Sequence, residues 1–339
     1  MITLEGDRLV FRFPEVHADA DCTIEFQRTL RIPDDGKAYP LPPGFGSFPL
    51  RHLDDFAARV PARWHERGGV IMPMHQAEAM WINFGGGPLA AHGYPCAVKV
   101  AAGKINAVTG DAWVNHLNRD PQDYVVAGRQ PWLDGYCVEK GYVRQFVAMP
   151  LGEGYTAEEQ ITGAGEHGGV QIVVYPMKAE RYEALKRARE AERRSMRSRF
   201  TGTPIPAAFD AMDMGLAPGG RMRQEIYDDP HGLDAWDQRH ASRCFVTIAN
   251  SLAWRAIAGE LPPTVPPTAK DYSAAGLPWF LVLCRRREGA RGRRKFAGLK
   301  SVAALGKDKN ESPLPENDTA ECQREVRLGE QRPVREMPA

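Results

Sequence analysis

The chain has 339 residues, enough to bury one substantial core or two, with 43 % hydrophobic residues and a formal net charge of only +1. That balance gives no global field for nucleic acid, so any such contact requires a local basic patch. The opening MITLEGDRLVFRF carries charges where a secretory leader needs its apolar run, and no span approaches the roughly 18 apolar residues of a membrane helix, so a cytoplasmic protein without membrane contact is expected.

From residue 1 to 178 the sequence reads as strands joined by Gly/Pro turns. Alternating or short apolar runs occur at ITLEGDRLVFRF, CTIEFQRTLRI, GVIMPM, AMWINF, CAVKVAAGKINAV, YVVAG, YVRQFVAM and VQIVVYPM. One helix is predicted in PLRHLDDFAARVPARWHERGG, where Leu50, Leu53, Phe56, Val60 and Trp64 approximate one face and Pro61 restarts the turn. Strands are not regularly followed by helices, which argues against a doubly wound or barrel fold. The expected class is mainly β with some helix (α+β), built on an antiparallel sandwich-like or curled-sheet core.

Between two of these strands lies LGEGYTAEEQITGAGEHGG, residues 151–169. It lacks the Lys-Ser/Thr of a P-loop and the glycine spacing of a dinucleotide fingerprint, and its acids would repel a phosphate. The matching flanks predict a long hairpin connection, with a short turn of helix or a small β excursion within Thr156–Thr162. Its length exceeds what a hairpin needs, which makes Glu159, Glu166 and His167 binding candidates.

KAERYEALKRAREAERRSMRSRF, residues 178–200, is rich in helix formers and carries nine basic and four acidic residues. Its thin apolar face (Tyr182, Leu185, Ala188, Met196) predicts a solvated linker helix over 179–200. A smaller α+β unit, 203–284, is expected to pack on the first domain. It has a Gly-rich turn in MGLAPGGRMRQEIY, a strand in CFVTIAN, and a helix SLAWRAIAG capped by Ser251 and ended by Gly259. ELPPTVPPTAK must be extended or polyproline-like. Residues 285–309 hold ten basic and two acidic residues, and 310–339 reverse to seven acids against four bases; 285–339 is expected to be a largely disordered tail.

For chemistry, DDPHGLDAWDQRH supplies Asp229, His231, Asp237 and His240, a donor set suited to zinc or non-haem iron, or to a general base. The same residues also suit a turn with Asx capping, since their spacing matches no HExxH or HxH pattern. His75 and Glu78, at i and i+3, read as a polar edge beside Met80 and Trp81. The six cysteines form no CxxC and read as core thiols, and there is no GxSxG elbow.

The runs YVRQFVAMPLGEGYTAEEQITG, HGGVQIVVYPMK, GGRMRQEIYDDPHGLDAWD and PPTAKDYSAAGLPWF resemble those of a family of bacterial proteins of actinomycete type without assigned activity. The resemblance spans roughly residues 20–282 and implies one extended architecture, but no catalytic residue and no cofactor. Three functions follow from the sequence. The first is a non-catalytic binding or assembly protein that meets a protein partner or itself. The alternatives are a metal-assisted hydrolase or oxygenase using 228–240, and a nucleic-acid-associated protein using the basic helix and tail.

Overall fold

A computed structural model describes residues 1–85, 93–195, 215–282, 295–311, 320, 322 and 325–328. Among these, ten strands form a larger sheet whose main path runs Ile2–Glu5, Arg8–Arg12, Asp21–Thr29, Ala79–Asn83, Tyr142–Met149, Gly215–Arg223 and Ala38–Tyr39. A smaller sheet of seven runs Ile105–Asn106, Cys96–Ala102, Val170–Pro176, Ser242–Ala249, Val70–Pro73 and Arg51–His52, with Val125–Val126 added beside Cys96–Ala102. Most neighbours are antiparallel. Strand alternation explains the burial: in Asp21–Thr29 the residues Cys22, Ile24 and Phe26 are buried while Thr23, Glu25 and Gln27 are half-exposed. The main core draws Phe26, Ile82 and Phe146 from one sheet and Val98, Ile172 and Val246 from the other, so the fold is α+β and β-rich with two sheets.

Three expectations are revised. The stretches YVRQFVAM and VQIVVYPM do not form a hairpin: Tyr142–Met149 lies in the larger sheet and Val170–Pro176 in the smaller one. Residues 150–169 therefore pass between sheets, and local sequence cannot separate that connection from a hairpin loop. Second, GLAPGGRMR is a strand rather than a turn. A Cβ on Gly219 would lie 2.5 Å from Val147, and one on Gly220 would lie 2.4 Å from the Pro33 carbonyl, so glycine here permits close approach. Third, strands from the 203–284 unit sit inside both sheets of the 1–178 unit, because Gly215–Arg223 pairs with Tyr142–Met149 and Ser242–Ala249 with Val170–Pro176. The helix Ala179–Ser195 thus departs from one sheet and does not link two separate cores, while 196–214 lies outside the described residues.

Within 285–339, short stretches are described. Phe296, Leu299 and Val302 are buried, and a helix Val302–Asp308 docks on Gly215–Arg223, capped by Ser301. Glu325–Leu328 adds a parallel strand to Trp279–Val282. The high charge of 285–309 hides this small apolar set; the rest of 285–339 lies outside the described residues.

The helix predicted across 49–69 is divided at Pro61 into a 3-10 turn, Leu53–Phe56, and a short helix, Ala62–Arg67. Trp64 and Leu53 then pack with Ile71, Trp254 and Ile257 on the outer side of the smaller sheet. No helix among the described residues is long and apolar enough to cross a membrane.

Candidate functional site

Val70–Pro73 and Ser242–Ala249 are parallel neighbours, with Val246 opposite Val70 and Ala249 opposite Pro73. Parallel strands end on the same side, so the residues that follow each of them lie beside one another. The Met74 N–H donates to the Ala249 carbonyl at 3.1 Å, which keeps the two chains together past the ladder. One residue further on each chain stand His75 and the helix-capping residue Asn250, followed by Ser251.

After His75 the chain reverses sharply. The Glu78 N–H donates to the His75 carbonyl at 3.0 Å, and Ala77 adopts φ +67°, a left-handed conformation that costs a non-glycine residue on the order of 1 kcal/mol. Surrounding bonds hold it: the Ala77 N–H donates to Ala148 at 2.7 Å, and its carbonyl accepts from Arg31 Nη1 at 3.1 Å.

Glu78 is buried at 1 % exposure. Its Oε1 accepts from Arg28 Nε at 2.7 Å and its Oε2 from the His75 N–H at 2.9 Å. Arg28 lies on Asp21–Thr29 opposite Met80, so pairing of two strands in the larger sheet brings the two charges together. A buried pair of this kind is stable only when further hydrogen bonds satisfy both ions. Here Arg28 Nη2 also donates to the Thr264 carbonyl at 2.7 Å.

Thr264 belongs to the proline-rich segment 260–268. An extended, proline-rich chain makes no internal hydrogen bonds, so its carbonyls are available to side chains. Two are taken at this site: Thr264 by Arg28, and Pro263 by His75 Nε2 at 3.0 Å. The strap thereby closes over a cavity of about 320 Å³ lined by Arg31, His75, Glu78, Ser251, Val265 and Pro266, among others. Leu252, Leu261 and Val265 are each more than 70 % exposed on the same segments.

The His75 tautomer follows from its partners. A carbonyl only accepts, so Nε2 carries a proton, and in the neutral ring Nδ1 presents its lone pair to Ser251 Oγ, 3.4 Å away. Ser251 is the first residue of the helix Ser251–Ala258; its N-cap is Asn250, whose side chain makes no capping bond. The sequence places the cap on Ser251, one residue late, and the hydroxyl is therefore not consumed by the helix.

The candidates expected from sequence have partners within their own segments. Glu159 closes its own loop, accepting from the N–H groups of Gly152 (2.8 Å), Gly154 (2.8 Å) and Thr156 (3.0 Å) in a capping box on the helix Ala157–Thr162. His167 Nδ1 donates to the carboxylate of buried Glu158 at 2.9 Å, while Glu158 also takes the Gly168 N–H at 2.8 Å. Arg67 binds the carbonyls of Glu166 and His167, leaving the Glu166 carboxylate in solvent. The loop's organiser is Glu158, which the sequence does not single out.

The Asp/His segment likewise binds itself. Asp229 Oδ2 accepts from Tyr124 Oη at 2.7 Å and Trp236 Nε1 at 2.9 Å, and Oδ1 accepts the His231 N–H at 2.8 Å. Asp237 and His240 meet at 2.9 Å. Burial opposes ionisation of Asp237, but the bonds from His240 and the Arg239 N–H outweigh it and hold its pKa below the ordinary value. Burial lowers the His231 pKa. Among the described residues, no group of three or more His, Cys, Asp or Glu side chains is arranged to hold a metal ion. Asp229 and Asp237 instead make the Asx turns that the same sequence permits.

Cys22, Cys96, Cys137 and Cys244 are buried, and burial pushes the Cys244 thiol up to about 12. On the basic helix, Lys186 pairs with Asp19 at 3.2 Å and Arg181 with Asp234, which mutes part of its charge.

Comparison with family models, curated proteins and solved structures gives no match.

Proposed function

We propose that this chain is a binding protein for a small anionic molecule, held in the cavity beneath the proline-rich strap. The carrying observation is the double anchoring of the strap, by His75 on Pro263 and by Arg28 on Thr264, over a cavity at the ends of two parallel strands. Its volume, about 320 Å³, suits a molecule at the small end of the usual ligand range. The ligand sign follows from the lining charges. Glu78 is paired with Arg28, and Arg31 is the cation among the lining residues. Apolar atoms of Pro266 and Ala79 favour a short hydrocarbon portion beside the anionic group.

Thermal unfolding in the presence of short-chain carboxylates, with matched primary amines as controls, tests this reading. Carboxylates at about 100 times their Kd should stabilise the fold by about 2.7 kcal/mol, and Arg31→Met should remove that gain. Equal stabilisation by the amines, or by carboxylates in the Arg31→Met protein, would overturn it.

A further inference from the structure

We infer that the same cavity also carries acyl-transfer chemistry, with Ser251 as nucleophile and His75 as general base toward small esters. The inference uses the proposed cavity as the place where substrate enters, but rests on a separate observation: a serine hydroxyl facing an imidazole nitrogen whose protonation is dictated by geometry.

Three features combine. Pro263 accepts from Nε2 and so keeps the Nδ1 lone pair free for the Ser251 proton. The separation of 3.4 Å is within the looser range found before substrate binds, and Ser251 is half-exposed to the cavity. Ser251 also opens an eight-residue helix directly after a strand, where the first-turn N–H groups have no intrahelical partners and can receive a developing oxyanion.

In the first half-reaction, Ser251 Oγ bonds to the ester carbonyl carbon and its proton passes to His75 Nδ1. The tetrahedral oxyanion then collapses, breaking the bond to the leaving alcohol, which takes the proton from Nδ1. In the second, water attacks the acyl-serine carbonyl carbon and gives a proton to Nδ1; collapse returns that proton to Ser251 Oγ and releases the carboxylic acid. No oxidant or reductant is required.

The orienting group sets the substrate class. His75 Nε2 faces a neutral carbonyl, and Glu78 reaches His75 only through its backbone N–H. The imidazolium thus gains less stabilisation than beside a carboxylate, which favours esters with good leaving groups over amides. The cavity volume restricts the acyl part to a short chain.

The test is labelling of the full chain with a short-chain alkyl fluorophosphonate, read by intact mass and peptide mapping, beside 4-nitrophenyl acetate hydrolysis. A single adduct on Ser251 is expected, with a burst of nitrophenol. Ser251→Ala should lose both. His75→Gln keeps an N–H donor for Pro263 and should slow labelling at least about 100-fold at unchanged circular dichroism. Mapping of the adduct elsewhere, no adduct, or His75→Gln labelling at the parent rate would overturn the inference; the His75 and mapping arms decide it even if Ser251→Ala does not fold. Labelling at Ser251 without stabilisation by carboxylates would remove the anion-binding reading and leave this one standing. The converse result would do the opposite.

Discussion

Two regions of this protein place acids and histidines close together, and they do so to different ends. In 228–240, every acid that matters is turned onto its own backbone or onto buried donors: Asp229 holds Tyr124, Trp236 and the His231 N–H, and Asp237 holds His240 and the Arg239 N–H. At the parallel strand ends, Glu78 is equally saturated, but it holds the His75 backbone and not its ring. His75 is fixed through its backbone, so its ring remains aimed at Pro263 on one side and Ser251 on the other. A dense local cluster thus makes a turn, whereas a sparse set assembled from distant strands borders a cavity.

The sharpest way to break this contrast is Glu78→Ala. It strands the Arg28 charge in the interior and should cost about 3–5 kcal/mol in chemical denaturation, with faster proteolysis in 260–268. A loss below about 1 kcal/mol would mean that the pair does not hold the strap. Asp229→Ala should follow at about 2–3 kcal/mol, because three donors lose their acceptor. If it instead abolishes catalysis or binding at unchanged stability, the turn reading of 228–240 is wrong.

Asp134 provides a third case, an acid that burial pushes up to about 7 despite bonds from Trp132 Nε1 (2.7 Å) and Gln224 Nε2 (2.6 Å). Its folded-state pKa is raised, so below about pH 4 the residue is neutral in both states and its contribution is fully present. As pH rises through about 7 the unfolded state ionises first, and that stability is lost. Asp134→Asn should therefore gain on the parent progressively between about pH 4 and 7 and level off above. A difference independent of pH, read from denaturation midpoints across that window, would contradict the assignment.

The smallest effect is expected at His240, whose ring is partly exposed. His240→Ala should cost no more than about 1 kcal/mol, and zinc or manganese should leave the melting temperature of the parent unchanged. A metal-dependent rise that His240→Ala removes would restore a metal role to this segment.

Much of the local structure is legible in the sequence. The strands around Phe26, Phe146 and Ile172 follow from alternation, the helix Ala179–Ser195 from its composition, and the end of Ser251–Ala258 at Gly259 from that residue's left-handed φ of 72°. The candidate site is not legible in the same way. Ser251 reads as a helix cap and His75 as a polar edge, and 176 positions separate them. Their only local signal is that GVIMPM and CFVTIAN each run into a polar residue, a pattern shared with many strand ends.

The sequence by itself determined which segments extend, which coil, and where prolines deny the backbone its own hydrogen bonds, because those properties depend on neighbours within a few residues. Tertiary structure alone decided which strands pair, and in which direction. Parallel pairing of Val70–Pro73 with Ser242–Ala249 put His75 beside Ser251, and pairing of Asp21–Thr29 with Ala79–Asn83 let Arg28 approach Glu78. Such partners are chosen by burial across the whole core, where a strand's apolar face fits several neighbours equally well and only the complete packing selects one.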